Sequence, residues 1–379
     1  MRILMTTIKG EGHLRPLLPF ADAFREQGHE VLVAIPETGT GLVLDAGHEA
    51  WAVPEATAAE RDAVSARASA AASRDEANAI ILGELFAGLD ARAAMPGVMS
   101  AVAEWLPDVI VHETCEFAGA LTAERAGLPS IRVAVHTEAL ERYIARFVAR
   151  RVDELRAEQD LAPDPDGERL LAARSVTLTP PALDGGRRDG HYREPQVPLA
   201  APPGHWNGDE RPLVYVSYGT VVPQGDAYPS IYREAIEQLA GLDVRLLLNT
   251  GRRDPAELGP LPAGVHAERW VHEAAVLPYV AAMVTHGGAG SVRTALSAGV
   301  PLAVLPRFGD QPRNARSVEA AGAGLVVAGA GGLRRAVTAL LTEPAYAGVA
   351  TGIAVEVARL PPAGEAIDVL REALATFVV

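Results

Sequence analysis

The chain opens on an apolar run, Ile3-Leu4-Met5, that reads as a fully buried strand over Arg2–Ile8, broken by Lys9-Gly10-Glu11-Gly12-His13. Leu17, Leu18, Phe20, Ala21 and Phe24 then recur at helical spacing within Pro16–Gln27, and Gly28 supplies the stop. A second apolar run follows at His29–Ile35. Strand, glycine turn, helix and strand in that order open a parallel α/β sheet. Further along, Val109–Val111 reads as another buried strand, Phe117–Ala126 as a helix and Ile131–Val135 as a strand. Between them Glu55–Asn78 is Ala-rich and polar with weak apolar periodicity, the pattern of a surface helix or a loop.

The second half repeats this layout. Strands are expected at Leu213–Ser217, Val244–Leu248, Met283–Thr285 and Leu302–Leu305, with a further strand-like run at Val265–Val271. Helices are expected at Ile231–Leu239 and Ser291–Ala298, and a last amphipathic helix at Glu365–Leu374 after Pro361-Pro362. The Pro-rich stretch from Pro195 to Pro212 reads as a linker, because its prolines block both helix and central strand. Two α/β halves so joined imply a cleft between them as the place for a ligand.

Composition narrows the class. With 379 residues, 49% hydrophobic and 22% charged, the chain has material for two ordinary soluble domains. A net charge of −14 repels phosphate backbones and anionic lipid, so neither nucleic acid nor a membrane is expected as a partner. One cysteine, Cys115, leaves no intrachain disulfide and no cysteine-based metal site in prospect. The N-terminus lacks a basic segment and a cleavage site, so a cytoplasmic protein is expected.

Three groups carry candidate chemistry. His286-Gly287-Gly288-Ala289-Gly290-Ser291 follows a strand and opens a helix, so its glycines admit a ligand and its unpaired N–H groups face it; with the imidazole as a further donor, the turn suits a diphosphate. It lacks the Lys-Ser/Thr pair of a Walker loop, and Arg15 stands at the third glycine position of a dinucleotide fingerprint begun by Gly10 and Gly12. His13, in the turn after the first strand, suits a general base, and Glu113, after another strand, reaches the same sheet edge and is placed to orient it. Asp310-Gln311, again after a strand, offers the donors and acceptors a sugar needs, although Asp310 is equally well placed as an N-cap. Trp270 serves either to stack on a planar base or to fill a core.

Taken together, Trp270-Val271, His286–Ser291, Gly299-Val300-Pro301 and Asp310-Gln311-Pro312-Arg313-Asn314-Ala315 resemble the donor-binding signature of inverting GT-B-fold glycosyltransferases. The likeness is to the UDP-glycosyltransferase superfamily, in particular to actinobacterial glycosyltransferases of antibiotics and other natural products. Gly12-His13-Leu14-Arg15-Pro16 matches the Gly-His-x-x-Pro pattern of that family, and Ser217-Tyr218-Gly219-Thr220 its phosphate turn. The resemblance implies two Rossmann-like domains facing across a cleft: an acceptor domain over 1–205, a donor domain over 206–360, and a C-terminal helix over 361–379 returning to the first.

It further implies a nucleoside-diphosphate sugar (dTDP or UDP) as donor, and a small hydrophobic natural product bearing a hydroxyl as acceptor. His286 and the amides of Gly288, Gly290 and Ser291 would meet the diphosphate, with Ser217 and Thr220 adding contacts. Trp270 would flank the base and the Val271 backbone bond it; Asp310 and Gln311 would hold sugar hydroxyls. His13 would be the base, paired with Glu113 where the family usually has Asp. No cofactor and no metal are implied, and there is room for a homodimer. The walls of the acceptor site are expected from residues 55–95 and 136–155. A nucleotide-sugar 2-epimerase and a non-catalytic nucleotide-sugar-binding helper are the alternatives.

Overall fold

A computed structural model describes residues 1–186, 188–195, 209–328 and 330–377. The chain divides into two compact units, Met1–Pro195 with Leu360–Val379, and Gln196–Arg359. Most of the stretch read as a linker, 196–208, lies outside the described residues.

The first unit contains a seven-stranded, all-parallel sheet of β1 (Arg2–Thr6), β2 (Glu30–Pro36), β3 (Glu49–Val53), β4 (Val109–Glu113), β5 (Ser130–Ala134), β6 (Ser175–Thr177) and β7 (Gly190–His191). Their spatial order is β3-β2-β1-β4-β5-β6-β7. Alternation along the strands splits the core. Ile3, Met5, Val31, Val33, Val109 and Val111 face one side, where Phe20 and Phe24 of the helix Leu18–Glu26 cover them. Leu4, Leu32 and Ile110 face the other, under the helices Ala91–Trp105, Phe117–Ala126 and Glu138–Glu158. The C-terminal helix Ile367–Phe377 joins the first side through Ile367, Leu370 and Ala373. Its approach is fixed by a bridge between Arg193 and Pro362 and by Gln27 Nε2 donating to the Gly364 carbonyl at 3.0 Å.

The second unit repeats the plan with six parallel strands, β8 (Leu213–Ser217), β9 (Arg245–Asn249), β10 (Val265–Glu268), β11 (Val280–Thr285), β12 (Leu302–Val304) and β13 (Gly324–Val326), in the order β10-β9-β8-β11-β12-β13. Val214, Val216, Leu246, Leu248 and Val284 pack on one face against Tyr232, Ala235 and Leu239 of the helix Ser230–Leu239 and against Leu333 and Val337.

Glu55–Asn78 resolves into helices. Ala58–Ser69 begins with a reciprocal cap between Thr57 and Glu60, and Arg74–Asn78 is capped by Ser73. A twelve-residue π-helix, Ala79–Asp90, continues from it. Among the described residues no helix is long and apolar enough to cross a membrane.

Candidate active site

In doubly wound sheets, ligands bind beyond the carboxyl ends of the strands where the strand order reverses. The first unit reverses between β1 and β4, which pair up to Thr6 opposite His112; His13 follows β1 and Glu113 ends β4. The second reverses between β8 and β11, which pair up to Thr285 opposite Ser217; Ser217 ends β8 and His286 follows β11. Both groups of candidate residues therefore sit where their own sheet opens.

In the first unit His13 lies on the short helical turn Glu11–Leu14, its side chain 23% exposed, with Nδ1 3.2 Å from Oε1 of the fully buried Glu113. The longer glutamate thus reaches the imidazole. Its second oxygen accepts the Cys115 backbone N–H at 2.8 Å. Burial alone would raise the Glu113 pKa, but the His13 charge and hydrogen bond, the Cys115 N–H and the nearby His136 outweigh it and hold the carboxyl below its ordinary value. Phe86, on the π-helix, meets the His13 ring edge-on at a centroid distance of 6.0 Å.

Glu116, the residue after Cys115, is engaged elsewhere. It caps the helix Phe117–Ala126 by accepting the Gly119 N–H at 2.8 Å and the Thr6 hydroxyl, and burial pushes its pKa up to about 7. Between Glu113 and Cys115, Thr114 donates to Glu141 at 2.7 Å. Glu141 is in turn paired with the buried Arg188 at 2.5 Å and Arg132 at 3.3 Å. No single stretch of the sequence signals this network. Its members are scattered over 75 residues, and only the sheet brings them together.

The lone cysteine lies beside this pair: the ligating atoms of His13, Glu113 and Cys115 all lie within 4.8 Å of one another. A separate cavity of about 580 Å³ between the helices Ala91–Trp105 and Glu138–Glu158, lined by Met95, Met99 and Leu155 among others, includes none of the candidate catalytic or donor-site residues.

In the second unit the His286 ring is held between two glycines. A Cβ on Gly219 would stand 2.6 Å from its Cε1, and one on Gly288 2.5 Å from its Nε2. Gly219 also has φ +72°, a conformation other residues resist. Burial lowers the His286 pKa to about 4, against the opposing pull of Asp310 and a hydrogen bond to the Ser217 backbone, so the ring is neutral. Ser217 is fully buried and its hydroxyl accepts the Gly219 N–H at 3.4 Å; Thr220 is partly exposed in the same turn.

The helix Ala289–Ser297 begins after Gly288 without a cap of its own, with Gly290 and Ser291 in its first turn. Asp310 occupies the N-cap position of Gln311–Ala320 yet makes no side-chain cap to that helix. Its carboxylate instead accepts the Ala289 N–H at 3.3 Å, at the start of the neighbouring helix. Asn314, to which no role was assigned, donates to Asp310 at 2.6 Å and to the Gly287 carbonyl at 2.9 Å, tying the two turns together. Its position four residues after Asp310 on a helix was the available signal. Gln311 is buried, and its side-chain oxygen is committed to the backbone N–H groups of Arg307 and Phe308.

Trp270 lies past the end of β10 rather than in the strand expected over Val265–Val271, and it fills no core. It is 36% exposed, with the Arg252 guanidinium 5.1 Å above its ring, while Val271 beside it is buried.

The two units each carry a doubly wound parallel sheet that opens on a histidine, and comparison with known proteins gives the family. Residues 22–187 match the N-terminal domain, and 233–373 the C-terminal domain, of the family described as erythromycin biosynthesis protein CIII-like. The chain is 31% identical over 342 residues to the L-demethylnoviosyl transferase of Streptomyces niveus, covering 86% of this chain and 84% of that one. It is 30% identical over 377 residues to the elloramycin glycosyltransferase ElmGT of Streptomyces olivaceus, covering 95% and 94%. The glycosyltransferase SsfS6 of Streptomyces sp. SF2575, solved with thymidine diphosphate, has the same fold at a TM-score of 0.77 and 24% identity, covering 98% of this chain and 99% of that one. The chain belongs to the CIII-like family of GT-B glycosyltransferases, whose relatives are sugar transferases of antibiotic biosynthesis.

Proposed function

We propose that the protein transfers a sugar from a nucleoside diphosphate, dTDP or UDP, to a hydroxyl of a small hydrophobic natural product, with inversion and without a metal. The observation that carries this reading is the contact of His13 Nδ1 with the buried, ionised Glu113. A carboxylate on Nδ1 keeps the proton there and leaves Nε2 to accept one, which is the state a general base requires. The acceptor oxygen attacks the anomeric carbon, its proton passes to His13 Nε2, and the nucleoside diphosphate leaves. One displacement inverts that carbon. Negative charge growing on the leaving diphosphate meets the first-turn amides of Ala289–Ser297 and the His286 ring, which supply electrostatic stabilisation in place of a metal. The thymidine diphosphate bound to SsfS6 supports a donor of this class. Phe86 and the apolar residues of the π-helix supply one wall of the acceptor site beside His13.

The test is His13→Ala assayed with an aliphatic alcohol acceptor, whose proton is hard to remove. A positioned general base contributes roughly 10²–10⁴-fold, so kcat should fall by about that factor while donor affinity survives. An unchanged kcat would overturn the base assignment. Donor incubated alone should stay unaltered, and formation of an epimeric sugar would replace transfer by epimerisation.

A further inference from the structure

We propose that His13, Glu113 and Cys115 form a binding site for zinc or a cation of similar softness, and that filling it switches off the base. The three ligand atoms lie within 4.8 Å of one another, and the nitrogen and carboxylate oxygen are already 3.2 Å apart. Tetrahedral zinc, with N and O ligands at about 2.0–2.2 Å and S at about 2.3 Å, sets its ligand atoms roughly 3.3–3.7 Å apart. Two of the three therefore need no movement, and the thiol must approach by about 1 Å, within reach of a side-chain rotation.

The turn is built to hold that set. Glu113 and Cys115 are two residues apart with Thr114 between them tied to Glu141, and the Cys115 N–H already braces the Glu113 carboxylate. A thiolate in the set favours zinc over magnesium, manganese or calcium, which prefer all-oxygen shells. Three protein ligands leave a fourth position for water.

Binding removes the Cys115 thiol proton to solvent as the sulfur–zinc bond forms. The cation takes the place of the proton on His13 Nδ1, and that proton moves to Nε2. An imidazole so metallated donates at Nε2 and no longer accepts the proton of an incoming hydroxyl. The inhibition rests on the base assignment of the preceding section; the binding does not.

The experiment uses the full chain, stripped with EDTA and dialysed, then titrated with cobalt(II) and zinc chlorides. Cobalt should give a near-ultraviolet thiolate charge-transfer band at one equivalent, assigned without ambiguity because the chain has one cysteine. The band should vanish in Cys115→Ala and in Cys115→Ser, the second keeping a residue of similar size in case the first folds poorly. Saturating zinc should slow transfer about 10²-fold, the lower range of a general-base contribution. Each variant should ignore zinc, its rate with saturating zinc matching its own metal-free rate, because the ligand set is broken. Absence of the band, or zinc stoichiometry unchanged in the variants, would overturn the site. A band with undiminished transfer would leave the site standing and overturn the base role of His13.

Discussion

Asp310 occupies an amide that the proposed donor site also uses. Its carboxylate holds the Ala289 N–H, one of the amides proposed for the diphosphate, so donor binding must turn it away, toward the sugar hydroxyls it is proposed to hold. Asp310→Ala should therefore lower transfer about 10–100-fold, the cost of a lost charged hydrogen bond of about 1.5–3 kcal/mol. Affinity for the free nucleoside diphosphate should hold or rise, since the amide no longer has a resident carboxylate; calorimetric titration distinguishes the two effects. Asn314→Leu keeps the volume but removes both bonds, leaving the Gly287 carbonyl and Asp310 short of a donor at a cost of about 1–3 kcal/mol. A lower melting temperature and a raised donor KM are expected, with kcat less affected. At this scale the sequence showed Asp310 at a helix start but not which helix it serves, because the donor of its bond, the Ala289 N–H, lies 21 residues away. The proximity of His13 and Glu113 was legible because one follows β1 and the other ends β4, and adjacent parallel strands deliver their ends to one edge.

The glycine turns around His286 carry the proposed diphosphate site, and their conformation is tightly constrained. Gly219→Ala would put a methyl into the imidazole and force a residue with a Cβ into φ +72°, so it should destabilise the second unit by more than about 1 kcal/mol and weaken nucleoside diphosphate binding together. The low pKa of His286 has its own signature. Between pH 6.5, its ordinary value, and about 4, the unfolded chain takes up a proton that the folded site refuses, so stability falls as pH drops through that window and is complete above it. His286→Gln should make the melting temperature less sensitive to pH across this range, though not flat, because buried His112 is lowered to about 4 as well.

The central strands were readable from their continuous apolar runs. The short strands β6, β7 and β13, of two or three residues, carry too little pattern to stand out. The π-helix was hidden for another reason: its wider turn moves apolar residues off the 3.6-residue stripe, so Phe86 could not be placed beside His13. The helix Glu138–Glu158 does keep a regular stripe of Leu140, Tyr143, Ile144, Val148, Val152 and Leu155, obscured by the arginines and glutamates between them.

For the molecule as a whole, metal independence is directly measurable: transfer should persist in excess EDTA, and a loss restored by magnesium or manganese would contradict the helix-and-histidine account of the leaving group. The C-terminal segment offers a structural counterpart. Ile367 and Leu370 are buried in the first unit's core, and full burial of such side chains stabilises by about 1.5–3 kcal/mol each. A chain truncated after Arg359 should lose the calorimetric transition of the first unit or shift it well downward, while the second unit, whose residues are contiguous, keeps its own. The same return of the chain sets an order of events on the ribosome. Synthesis usually lets the leading domain fold first, at about 5–20 residues per second. Here the leading unit waits for its closing helix until all of Gln196–Arg359 has been made, a delay of roughly 10–30 s. The second unit is complete earlier, so it is expected to fold before the first, and nascent chains ended at Arg359 and extended by a flexible tail long enough to clear the ribosome should already bind a nucleoside diphosphate while the sheet around His13 is still open to protease.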